Sequence, residues 1–138
     1  MFFVVKKSQI VLTVLLILTL LTAVFLSAKP NDENIMLCRS FLRDLGYTFR
    51  KTPPEKADIA VPEGFGKVYE SYNSLQKEAG FDLTPFRGKT VTRYTFRLTD
   101  CDYTLANILV SEGKICGGDI LNPSLSGEMI PLIPNKKE

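Results

Sequence analysis

Four cations crowd one segment of the chain: Arg87, Lys89, Arg93 and Arg97. In an extended strand alternate residues share a face, about 6–7 Å apart. Lys89, Arg93 and Arg97 then form a spaced row on one face of a strand, with Arg87 leading into it. Such a row matches a polyanion of the cell envelope or the headgroups of a lipid surface. It also serves as a solvated outer face that pairs with nearby acids and discourages edge aggregation.

The second group is Gly117-Gly118-Asp119. Paired glycines inside a strand mark a bulge or the close approach of another backbone. Asp119 beside them either caps a neighbouring turn or points into a groove, which makes Gly117, Gly118 and Asp119 a candidate binding element. The diguanylate cyclase signature begins with the same three residues, but Ile120-Leu121 stand where it needs Glu-Phe.

Asp100 and Asp102 flank Cys101. Paired carboxylates do acid–base work in a cleft or hold Ca²⁺ with further oxygens. Asp side chains more commonly shape turns by bonding to nearby amides. Convergence of Asp82, Asp100, Asp102 or Asp119 in one pocket is what a carboxylate-based hydrolase requires, with two carboxyls about 5–10 Å apart.

The chain has no histidine. Ser-His-Asp and Cys-His catalysis are therefore excluded, along with the commonest metal ligand. Cys38, Cys101 and Cys116 have no C-x-x-C spacing, so neither a zinc site nor a thioredoxin-like pair is expected. An odd count leaves at least one thiol unpaired. A hairpin turning at Glu112-Gly113 places Ser111 opposite Lys114 and Cys116 opposite Leu109. Nothing in that layout brings two cysteines within the roughly 7 Å that a disulfide spans, so buried apolar thiols are expected. No cofactor and no metal are implied.

The elements that position these groups begin with an anchor. Ile10–Ala28 is a run of 19 residues without charge, Pro or Gly. As a helix it spans about 28 Å, near the bilayer's hydrocarbon thickness of roughly 30 Å. Its only polar breaks are Thr13, Thr19, Thr22 and Ser27, whose hydroxyls can bond one turn back. Lys6 and Lys7 precede it, whereas Asp32 and Glu33 follow it with the single cation Lys29. Basic flanks favour the cytoplasmic side, so the N-terminus is expected inside and the rest of the chain outside. The alternative is a signal peptide cleaved after Leu26-Ser27-Ala28, which gives a secreted domain on the same side.

Without Lys6 and Lys7, 15 basic residues face 15 acidic ones. A neutral outer domain gives no footprint for a nucleic-acid partner.

The expected organisation is a cytoplasmic start at 1–9, an anchor at 10–28, a neck at 29–34, an extracytoplasmic domain at 35–134 and a frayed tail at 135–138. In that domain Ile35, Cys38, Phe41, Leu42 and Leu45 recur at helical spacing, capped by Asn31 or Asp32 and stopped by Gly46. Tyr47–Lys51 reads as a short strand. Thr52–Pro62 reads as an exposed connection, with a few residues of edge strand at Ile59–Val61. A second helix opens at Pro62-Glu63, places Phe65, Val68, Tyr69, Tyr72, Leu75 and Ala79 on its core face, and ends at Gly80. Thr90–Leu98, Leu105–Ser111 and Lys114–Leu121 read as an antiparallel meander, with Thr92, Tyr94, Phe96 and Leu98 on one face. The fold class is α+β: an N-terminal transmembrane helix, then two helices packed on one face of a sheet of at least three strands.

The second helix carries Val68-Tyr69-x-x-Tyr72-Asn73-x-Leu75-Gln76-Lys77, followed by Gly80-Phe81-Asp82-Leu83. The meander carries Gly88-Lys89-x-Val91-x-Arg93-Tyr94-Thr95, then Ala106-Asn107-x-Leu109-Val110-x-x-Gly113-Lys114-x-x-Gly117-Gly118-Asp119-Ile120. Over roughly residues 35–130 this resembles an uncharacterised domain-of-unknown-function family of small, single-span, membrane-anchored proteins from low-GC Gram-positive bacteria. The resemblance implies the architecture and location, and no activity or site.

The expectation is therefore a non-enzymatic, membrane-anchored, extracytoplasmic module that binds a protein partner or an envelope component. Two alternatives stand beside it: a carboxylate-based envelope hydrolase, and a structural or assembly protein acting through its transmembrane helix.

Overall fold

The computed structural model describes residues 6–27, 32–99, 104–122 and 127–135, with the side chains of the first helix described as far as Thr19. The chain divides into two units, residues 1–31 and Asp32–Glu138.

The first unit holds α1, Lys7–Ser27. Thr13 and Thr19 donate their hydroxyls to the carbonyls of Gln9 and Leu16, each at 2.8 Å. That bonding hides the polar breaks within the helix. Among the described residues no helix is long and apolar enough to cross a membrane.

The second unit is an α+β domain built on a six-stranded antiparallel sheet. Its helices are α2, Glu33–Asp44, and α3, Lys67–Glu78. Its strands are β1 Thr48–Phe49, β2 Glu55–Ala60, β3 Thr90–Thr99, β4 Leu105–Ser111, β5 Lys114–Asn122 and β6 Glu128–Pro131, in the order β1-β3-β4-β5-β6. β1 and β2 lie end to end on the same edge of β3, one against Leu98–Thr99 and the other against Thr90–Thr95. Pro53-Pro54 between them lack the amide hydrogens that a continuous strand needs.

The domain starts where its cap predicts. Asp32 accepts from the amide of Asn34 at 3.1 Å, from Lys56 Nζ at 3.0 Å and from the Tyr94 hydroxyl at 2.9 Å. One carboxylate thus caps α2 and ties it to β2 and β3. Burial works against its charge, but the bonds from Lys56 and Tyr94 prevail and hold its pKa below the usual carboxylate value. Gly46 at φ +82° ends α2, in the left-handed conformation that glycine adopts without penalty.

Side-chain parity separates two cores. Tyr94, Phe96, Ala106, Ile108, Val110 and Ile120 share one sheet face and pack with Cys38 and Leu42 of α2. Val91, Leu109 and Cys116 share the other face and pack with Leu83, Phe65, Tyr69 and Tyr72. The sheet therefore lies between the two helices, where the sequence had both on one face. The reason is visible in β3. Tyr94, Phe96 and Leu98 face α2, while Val91 supplies an apolar position on the opposite side.

Two further expectations need correction, and one strand goes beyond the sequence reading. Residues 55–60 form a full six-residue strand, because an edge strand tolerates the exposed Glu55, Lys56 and Asp58. β6 forms as a second edge strand ending at Pro131, the position in a sheet that proline tolerates. The core face of α3 is partly polar: Val68 is 84% exposed, whereas Asn73 and Gln76 are buried. Asn73 accepts from the amide of Leu83 at 2.7 Å and donates to Asp82 Oδ1 at 3.0 Å, which shapes the turn after the helix.

Candidate functional site

The Glu112-Gly113 hairpin forms with Ser111 opposite Lys114, as the sequence indicates. Both turn residues have positive φ, +50° and +73°, which matches the twist of the flanking strands. A bulge then inserts one residue, so Leu109 faces Gly117 and Cys116 is the extra residue. This corrects the Cys116–Leu109 pairing.

The bulge sets the chemistry. Without it, Asp119 would pair with Ala106 and face α2; with it, Asp119 pairs with Asn107, which pairs with Thr95. A one-residue slip moves a side chain to the other face. Thr95, Asn107 and Asp119 therefore form a row across three strands on the α3 face. Thr95 donates to Asn107 Oδ1 at 2.7 Å, Asn107 Nδ2 donates to Asp119 Oδ1 at 2.9 Å, and Tyr72 of α3 donates to Asp119 Oδ2 at 2.8 Å.

Asp119 is 2% exposed. Burial pushes its pKa up, while Asn107, Tyr72 and the nearby Arg93 guanidinium pull the other way. Burial also drives the Tyr72 phenol well above its ordinary value, aided by Asp119. The phenol therefore remains a donor throughout the physiological range. The row is a chain of oriented dipoles ending in one carboxyl group whose two oxygens each accept a bond.

The glycines make room for this arrangement. A Cβ on Gly118 would lie 2.5 Å from the Asn107 carbonyl oxygen and 2.7 Å from Leu132 Cδ2. A Cβ on Gly117 would lie 2.8 Å from Gln76 Oε1, the atom that accepts the Gly118 amide at 2.8 Å. Both expected roles of the pair are present, a bulge and a close approach. Gln76 is fully buried, and its Nε2 has no partner among the described residues.

The cations do not form one row. Arg87 follows a 3-10 turn at Thr84–Phe86 and stacks on Phe65, 4.3 Å from the ring centroid. Gly88, at φ +71°, turns the chain before the exposed Lys89. Buried Val91 then stands between Lys89 and Arg93. Arg93 is half-buried near Tyr72 and Asp119, and Arg97 is exposed. Arg97 lines a cleft of about 280 Å³ with Thr52, Pro54, Glu55, Thr95 and Leu105, at the break between β1 and β2. The structure thus brings Arg93, Gly117, Gly118 and Asp119 together and leaves Arg87, Lys89 and Arg97 apart from them.

Asp82 is engaged elsewhere, by the Thr84 hydroxyl, Asn73 and the Thr84 amide, which hold it well below the usual carboxylate range. It shares no hydrogen-bond partner with Asp119. Asp100, Cys101 and Asp102 lie outside the described residues. Among the described residues no group of three or more His, Cys, Asp or Glu is placed to hold a metal ion.

Thr95, Asn107, Tyr72 and Gln76 are the members of this region that sequence reasoning missed. The paired glycines were the available signal, since placing the bulge before Gly117 puts Asp119 opposite Asn107.

Fold and site define a small α+β domain, its sheet between two helices, with a buried polar row beneath the second helix. Residues 41–120 match the family described as a domain of unknown function (DUF4830), and the chain belongs to that family. No curated protein and no solved structure matches the chain.

Proposed function

We propose that this protein is a membrane-anchored module whose folded unit stands on the extracytoplasmic side and binds a protein partner or an envelope component without catalysis. The observation that carries the anchor is the exposure of α1. Ile10, Val11, Leu12, Val14, Leu15, Leu16, Ile17 and Leu18 are 51–71% exposed around the whole helix circumference. Side chains apolar on every side require a nonpolar surrounding, and the run continues to Ala28 in the sequence. Lys6 and Lys7 before it favour a cytoplasmic N-terminus.

The binding surface in this reading is the open part of the α3 face, where Arg97 and Thr95 border the cleft beside Pro54. The exposed Arg97 guanidinium, with the Thr95 hydroxyl beside it, can donate to an anionic group of a partner or wall polymer.

Protease treatment of intact cells carrying a C-terminally tagged chain, followed by fractionation, tests the reading. The tag is expected to be digested from outside, with the full-length protein in the membrane fraction. A shorter soluble product would replace the anchor with a cleaved leader, and a protected tag would invert the orientation.

A further inference from the structure

The cationic surface that the sequence places on β3 has a better-formed counterpart on the opposite side of the sheet. On α2, Met36, Arg39 and Arg43 follow one another at three- and four-residue spacing and share a face. Together with Tyr47, Thr48, Phe49 and Lys51 they line an open groove of about 430 Å³. Its apolar contribution comes from Met36, Tyr47 and Phe49. Its charge comes from Arg39, Arg43 and Lys51, and no acid is among these lining residues.

Arg39 is held across the groove by a bond from Nη2 to the carbonyl of Lys51 at 3.2 Å, and Arg43 Nε donates to the carbonyl of Arg39 at 3.3 Å. These bonds fix both guanidinium groups while leaving further N–H donors for an acceptor. Arg39 Nε is buried and has no partner among the described residues. Met36 stands 58% exposed beside Leu37 at 37%.

We infer that this groove docks on anionic phospholipid at the membrane surface, with the headgroup phosphate between Arg39, Arg43 and Lys51 and Met36 inserted at the acyl boundary. Charge complementarity selects an anion, and the apolar lining selects an amphiphile over a wholly polar polymer. Exposed apolar side chains bordered by Arg and Lys are the features by which a helix lies on such an interface. The inference rests on the proposed anchor, which would hold the domain beside the lipid.

Because the chain has no tryptophan, Met36→Trp gives a single tryptophan at the groove, excited selectively over the five tyrosines. The full-length variant is reconstituted in discs of phosphatidylcholine, or of phosphatidylcholine with an equal part of phosphatidylglycerol. A shift of emission to shorter wavelength is expected only with phosphatidylglycerol, together with quenching by brominated acyl chains and reversal by salt. Arg43→Gln and Lys51→Gln, both surface changes, should each lower the docked-to-free ratio roughly fivefold, from about 1 kcal/mol per cation near an anionic surface. Unchanged circular dichroism excludes unfolding as the cause.

An unshifted spectrum in phosphatidylglycerol discs overturns the inference. So does an equal shift produced by soluble glycerol phosphate polymer in phosphatidylcholine discs, which would assign the groove to a wall polyanion. Failure of the anchor is read separately, as loss of the chain from the discs on washing. The same variant mixed with phosphatidylglycerol vesicles then decides the groove by the same spectrum.

Discussion

Tyr72 and Asp119, 47 positions apart in sequence, meet through a 2.8 Å hydrogen bond that fastens α3 to the interior strand β5. The donor is a phenol kept protonated, and the acceptor is a carboxyl group whose pKa burial raises. Removing the donor with Tyr72→Phe leaves one buried carboxylate oxygen without that bond. A loss of about 1.5–3 kcal/mol at neutral pH is expected, typical of hydrogen bonds to charged groups, and urea denaturation measures it.

The pH dependence of Asp119 has a definite sign. Its folded pKa lies above the unfolded value of about 3.9, so the folded state binds more protons than the unfolded chain in that window. Its contribution is fully present below the unfolded pKa and is lost as pH rises through the folded one. Asp82, whose pKa is depressed by Thr84 and Asn73, acts oppositely and loses its contribution as pH falls. Subtracting the stability–pH profile of Asp119→Asn from that of the wild type should give a curve falling with pH, and Asp82→Asn a rising one. A flat difference for Asp119→Asn would mean that the carboxyl group titrates alike in both states.

Gly117 and Gly118 should respond differently to alanine. The Gly118 methyl meets a backbone carbonyl oxygen at 2.5 Å, which cannot move without disturbing β4. The Gly117 methyl meets the end of a glutamine side chain at 2.8 Å, which can rotate away at the cost of its bond to the Gly118 amide. Overpacking typically costs about 1–3 kcal/mol; Gly118→Ala is expected at or above the top of that range and Gly117→Ala near 1 kcal/mol. Denaturation midpoints of the two variants check the order.

Much of this fold was legible because local signals agreed with it. Asp32 caps α2, Gly46 and Gly80 stop helices, and the apolar alternation of β3 at Tyr94, Phe96 and Leu98 gives its buried face. The misreadings share a physical cause. Asn73 and Gln76 look like solvent-facing residues until the turn and the bulge that use their amides are in place. β2 and β6 are edge strands, so neither has the two buried sides that produce a strong pattern. At the site, the glycines suggested a bulge but not its register, and that single residue turns Asp119 from Ala106 to Asn107. Four basic residues at nearly even spacing read as one stripe. Val91 burial and the Gly88 turn, which divide it, depend on how α3 covers the sheet.

The cysteines give a kinetic prediction. Cys38 and Cys116 are buried free thiols in the two separate cores, and burial raises their pKa values to about 12 and about 11. The thiolate is the reactive species, so both should label at a rate limited by opening of the fold. In a Cys101→Ser chain, a thiol reagent is expected to react slowly in native buffer and with two equivalents in urea. Rapid native labelling of either thiol would show that its core opens independently.

The two remaining cations of the α3 face separate binding from folding. Arg93 is half-buried and its positive field lowers the pKa of both Asp119 and Tyr72. Arg93→Glu places a second negative charge near the buried carboxyl group, so it should raise the Asp119 pKa further and destabilise the domain at neutral pH. Arg97 is exposed at the cleft, and surface changes of this kind usually stay within about 0.5 kcal/mol. If the cleft binds an anionic envelope component, Arg97→Glu should lower retention of the detergent-solubilised chain on purified envelope several-fold while leaving its denaturation curve in place. Arg93→Gln, which removes charge without reversing it, should shift the Asp119 titration with a smaller loss of stability. Retention unchanged in Arg97→Glu would remove the cleft from the binding surface.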